Sequence, residues 1–98
     1  MREKNIEIYL RDEVEKIGGK AFKFSSPGNN GVPDRIVLLP KGIVKFVELK
    51  KPGEDLRPIQ RSRKRQFEKL GFEVLVIDSK EKVGDFIEIC TSQISGNS

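Results

Sequence analysis

The chain has 98 residues, the size of one domain at roughly 100–200 residues each, so a two-domain organisation is excluded. Nineteen Lys+Arg against fifteen Asp+Glu give a net charge of +4, and 35% charged residues exceed the usual ~25%, which favours a polyanionic partner. With no histidine and a single cysteine, Cys90, the composition excludes an internal disulfide, a structural zinc site and any Ser-His-Asp or Cys-His catalytic group. Chemistry, if present, rests on carboxylates and lysines, and a metal held by them is a hard, oxygen-loving cation.

The elements follow in order. Ile6, Leu10, Val14 and Ile17 recur at helical spacing and end at Gly18-Gly19, which predicts a first helix over 3–17. Residues 20–25 read as a short strand carrying Phe22 and Phe24 on one face. The stretch 26–33 holds prolines, asparagines and glycines in a density no regular element tolerates, so it is a loop. The apolar runs 35–39 and 43–50, joined by Pro40-Lys41-Gly42, predict a β-hairpin. Pro58 and Gly71 bracket a second helix over 58–70, residues 72–77 form a buried strand, and Ser79 caps a last helix faced by Val83, Phe86, Ile87 and Cys90. The order is α-β-β-β-α-β-α: an α/β fold with a mixed sheet flanked by helices, in one domain over 1–91 followed by a flexible tail over 92–98. No apolar run reaches the ~18–20 residues of a membrane span and the first residues are charged, so a cytoplasmic protein with no membrane partner is expected.

Three polar groups sit where folding alone does not require them. On strand 43–50, alternation puts Glu48 and Lys50 on one face, about 6.5–7 Å apart at Cα. Taken alone this is an ordinary same-face ion pair. Asp34, which could be only a turn residue after Pro33, begins the other hairpin strand, so the turn at 40–42 folds it back toward Glu48 and Lys50. Paired carboxylates raise each other's pKa unless a cation lies between them, and Mg²⁺ or Mn²⁺ is the suitable one here. Glu3 lies near the middle of the apolar stripe of helix 1, and Glu7 on its rim is the competing inward acid. Helix 2 carries Arg57, Arg61, Arg63, Lys64 and Arg65, a like-charge run that a phosphate backbone would neutralise. Gln60 points near its buried side, and the 25–33 loop with Ser26, Asn29 and Asn30 can approach a phosphate.

The ordered set Gly31-Val32-Pro33-Asp34, Glu48-Leu49-Lys50 and Gln60 resembles a PD-(D/E)xK nuclease with the restriction-endonuclease-like core, and more narrowly the stand-alone VRR-NUC (virus-type replication-repair nuclease) domains of phages and bacteria. The resemblance covers about 3–88. It implies that Asp34, Glu48 and the Leu49 carbonyl bind the divalent metal, completed by Glu3 or Glu7. It further implies that Lys50 orients or activates water and stabilises phosphate charge, and that Gln60 belongs to the catalytic set. A homodimer cutting branched DNA such as a four-way junction is also implied, in a repair-type role in bacterial or phage-infected cytoplasm. The alternatives are a non-catalytic DNA-binding module on the same fold, a sequence-specific restriction-type nuclease, and a protein-interaction domain with a charged surface.

Overall fold

The computed structural model describes residues 3–96. Helix α1 (Glu3–Lys16) is followed by strand β1 (Lys20–Lys23), the hairpin β2 (Arg35–Leu39) and β3 (Ile43–Leu49), helix α2 (Pro58–Lys69), strand β4 (Val74–Ile77) and helix α3 (Lys80–Gly96). The four strands lie in the order β1-β2-β3-β4. β1, β2 and β3 are antiparallel neighbours, and β4 returns parallel to β3 after the α2 crossover, as a helical connection permits. The mixed α/β fold is the one the sequence predicts.

Strand alternation divides the sheet into two differently covered faces. Val37, Val47, Leu49 and Ile77 point to one face and are sealed by Ile6, Leu10 and Val14 of α1 with Val83, Phe86 and Cys90 of α3. On the other face Phe46 is the centre of an aromatic cluster, its ring 5.4 Å from Phe24, 4.8 Å from Phe67 of α2 and 5.7 Å from Phe72, each edge to face. Such pairs add about 0.5–1.5 kcal/mol each to the area they bury. Lys45 is the exception on the α1/α3 face: it is buried, and its ammonium is neutralised by Glu73 at 3.0 Å.

Element ends differ from the sequence reading in two ways. β1 stops at Lys23, although the Phe24 N–H still donates to the Asp34 carbonyl at 2.9 Å and keeps the chain beside β2. α3 does not end before Ser92. It continues to Gly96, so residues 92–96 are helical where a flexible tail was expected, while 97–98 lie outside the described residues. The physical reason is that Ile94 continues the face of Phe86 and Cys90 and packs on the core, and its carbonyl accepts from the Lys41 ammonium of the hairpin turn. Among the described residues no helix is long and apolar enough to cross a membrane.

The loop between β1 and β2 is seated on α2. Gly31 adopts φ +84°, and a Cβ there would lie 2.8 Å from the Ile59 carbonyl oxygen, so only glycine lets the loop approach this closely. Pro33, fully buried, then sets the entry to β2. Gly31→Ala combines a left-handed backbone with backbone crowding, at a cost of about 1–3 kcal/mol. A thermal midpoint lower by roughly 5–15 °C is expected; an unchanged midpoint would contradict the close seating of this loop.

Candidate active site

Asp34 and Glu48 meet because of the hairpin register. β2 pairs Arg35 with Val47, so the next step along each strand sets Asp34 across from Glu48. The Asp34 Oδ1 accepts the Leu49 N–H at 3.1 Å, which fixes its carboxylate across the end of β3. Both carboxylates lie on the α2 side of the sheet, where Glu48 is only 6% exposed.

Burial acts first on Glu48, and the neighbouring Asp34 charge adds to it: together they push its carboxyl up to about 7, against the opposing pull of Lys50 and Arg57. Gln60 manages the remaining polarity. Its Nε2 donates to Glu48 Oε1 at 3.2 Å, while its Oε1 accepts the Arg57 N–H at 2.8 Å and so caps α2. One buried amide therefore ties the start of α2 to one oxygen of Glu48, whose carboxylate is also hydrogen-bonded by the Asp34 backbone. Lys50 is buried at the same strand end, and the ion pair it makes is with Glu54 at 3.7 Å, not with Glu48.

Of the two candidate acids of α1, only Glu7 has a described side chain. Glu7 turns to Arg35, its Oε2 lying 3.0 Å from the guanidinium, and does not join the carboxylate pair. Among the described residues no third Asp, Glu, Cys or His completes a metal-sized cluster. Glu3 belongs to the first turn of α1, and its side chain lies outside those described. Arg35 itself was missed in the sequence. Its Nη1 donates to the Asp34 carbonyl at 2.8 Å and lies 3.8 Å from Asp34 Oδ1, so it pins the backbone of the acid and adds positive charge beside it. The available signal was an arginine on the same strand face as the buried Val37 and Leu39.

The basic residues of α2 do not all project alike. Arg57 and Arg65 are exposed, and Arg61 is exposed while donating to the Leu56 carbonyl at 2.8 Å. Lys64 pairs with Glu68 at 2.8 Å. Arg63 is half-buried: its Nε donates to the Asn30 carbonyl at 2.8 Å and its Nη1 to Gln66. Its present work is to hold the loop, in which Asn29 Nδ2 also donates to Ser26 Oγ at 2.8 Å.

The donor set offered by Asp34 and Glu48 is oxygen only, and the two carboxylates repel each other. Both features fit a hard divalent cation held by Asp34 and Glu48. A carboxyl raised above its ordinary 4.5 in the fold resists ionisation that the unfolded chain permits, so the metal-free protein loses stability as pH rises from about 4.5 through about 7. The loss amounts to up to roughly 3 kcal/mol. Glu48→Gln removes the charge, and in EDTA it is expected to unfold at higher denaturant than wild type at pH 8 and with little difference at pH 4.5. Equal midpoints at pH 8 would contradict the buried, crowded state of Glu48.

Comparison with known proteins identifies the family. Residues 9–81 match the model of the VRR-NUC domain, a segment that contains Asp34, Arg35, Glu48, Lys50 and Gln60 and starts after Glu3 and Glu7. A protein named "Putative nuclease p44", from Acyrthosiphon pisum secondary endosymbiont phage 1, is 51% identical over 81 residues, covering 83% of this chain and 87% of that protein. A solved structure described as a VRR_NUC domain is 34% identical with a TM-score of 0.83, covering 88% of this chain and 94% of its own. With family segment, relative and fold in agreement, the chain belongs to the VRR-NUC family of nuclease domains.

Proposed function

We propose that this protein is a Mg²⁺- or Mn²⁺-dependent DNA endonuclease that hydrolyses phosphodiester bonds, selecting DNA by structure, with branched DNA such as a four-way junction as substrate and a homodimer as the active form. The observation that carries the reading is the juxtaposition of Asp34 and Glu48, the latter with its carboxyl pushed up to about 7 by burial and by the Asp34 charge. The nuclease family to which the chain belongs supports it.

In this reading Asp34, Glu48 and the Leu49 carbonyl hold the metal, with Glu3 as the α1 acid. When bound, the cation supplies charge for a phosphate oxygen and acidity for water, which a histidine-free site otherwise lacks. Lys50 brings a positive charge to the same strand end, where it orients the attacking water and stabilises negative charge developing on the phosphate. Gln60 fixes one oxygen of Glu48 and so sets the orientation of its carboxylate. Arg35 holds the backbone of Asp34 and adds positive charge beside its carboxylate.

Arg57, Arg61 and Arg65 of α2, with Lys64 and the loop residues Ser26, Asn29 and Asn30, form the surface for DNA. Guanidinium groups and loop amides at such positions hold phosphates, which position a duplex without reading its bases. Arg63 contributes by holding the loop. Selection by shape follows from that contact chemistry, and the family resemblance supports the junction and the dimer.

End-labelled four-way junction, flap, linear duplex and single-stranded DNA are to be incubated with Mg²⁺, Mn²⁺ or EDTA. Cleavage confined to the metals and favouring the junction is expected, with Asp34→Asn and Lys50→Ala slower by at least about 100-fold. Full activity of either variant would remove it from the site, and binding without cutting under every metal would make the chain a DNA-binding module. Sedimentation at micromolar concentration is expected to give twice the chain mass, and a monomer that cuts junctions would contradict the dimer.

A further inference from the structure

Beside the carboxylate pair, on the opposite sheet face from α2, α1 and β1 enclose a cleft of about 210 Å³. Arg11, Lys23 and Arg35 line it, one cation each from α1, β1 and β2, over a floor that includes Leu10 and Ala21. Its acid, Glu7, is already matched by Arg35 at 3.0 Å. The other two cations are available: among the described residues Lys23 makes no ion pair, and Arg11 meets only its chain neighbour Asp12 at 3.5 Å, with both side chains 54% exposed. The cleft thus presents an unmatched positive charge.

It is also joined to the site. Lys23 pairs in register with Arg35, and Arg35 donates to the Asp34 carbonyl at 2.8 Å. Arg11 follows Glu7 by one turn, about 6 Å farther from the catalytic end along the helix axis. Lys23 thus lies beside Arg35 across the strand pair, and Arg11 lies one helical turn farther along α1. None of the α2 residues assigned above to DNA reaches this side of the sheet.

We propose that this α1–β1 cleft is a second phosphate-binding subsite, in which Arg11 and Lys23 hold backbone phosphates of the strand that leaves the scissile bond. The ligand is one strand's phosphodiester backbone, because the cleft is small and cationic over Leu10 and Ala21, and the half-exposed Phe22 in its wall can meet a sugar or base of the same strand. DNA on this side and on α2 then flanks the catalytic end from both sheet faces, which a branched substrate with two diverging arms can satisfy. The proposal rests on the endonuclease reading for its biological role and not for its test.

Binding is measured in EDTA by fluorescence anisotropy with labelled four-way junction and linear duplex over a range of salt, for wild type, Arg11→Gln/Lys23→Gln and the control Lys16→Gln/Lys20→Gln. The control removes the same charge from the far ends of the same two elements, and thermal midpoints confirm that both variants fold. Two lost phosphate contacts should lower the magnitude of the log K against log salt slope by about 2, with the control near wild type. An unchanged slope in the Arg11/Lys23 variant, an equal drop in the control, or no DNA binding by wild type would each overturn the subsite. If wild type cuts DNA and the slope does not move, the cleft fails while the endonuclease stands. If the slope drops and wild type never cuts, the cleft holds and the endonuclease reading fails.

Discussion

Two carboxylates, Asp34 and Glu48, are brought together at the end of a hairpin on a largely buried sheet face, and the surrounding structure serves to tolerate that repulsion. Nothing about a stable core demands such a pair; an apolar residue at either position would fold more easily. The hairpin register leaves no freedom, because a slip of one residue would also turn Val37, Val47 and Leu49 out of the core. The pair is therefore locked in place by the packing of the opposite face.

Each neighbouring element contributes one polar tie to that pair. α2 supplies Gln60, which uses its two ends to cap its own helix and to hold Glu48. α1 supplies Glu7, which positions Arg35, which in turn fixes the backbone of Asp34. The 25–33 loop is brought against α2 by Gly31 and by the Arg63 contact to Asn30, and Pro33 passes that placement on to Asp34. The site is rigid because its ties originate in three packed elements and close on one strand end.

Much of this was legible in the sequence. Period-2 alternation over 43–50 and the turn at 40–42 located Glu48, Lys50 and Asp34 at one edge, since strand alternation and hairpin pairing are local rules. Gln60 could be placed by its spacing from Phe67, which does pack on Phe46. What escaped was pairwise. The choice of Glu7 for Arg35 depends on how α1 crosses the sheet, and the role of Arg63 depends on a loop conformation that only Gly31 permits. The end of α3 was misread because 91–96 is polar and glycine-terminated, and Ile94 is the one residue there whose burial extends the helix.

The central proposal is that Asp34 and the buried Glu48 together hold a divalent cation. Calorimetric titration of Mn²⁺ into the protein between pH 6 and 8.5, in buffers of differing ionisation enthalpy, tests it most directly. The account predicts binding that strengthens with pH up to about 7, where Glu48 loses its proton. It also predicts release of about one proton per ion below that pH and close to none well above it, with binding lost in Asp34→Asn. Absence of binding, or an affinity independent of pH with no proton released, would contradict it.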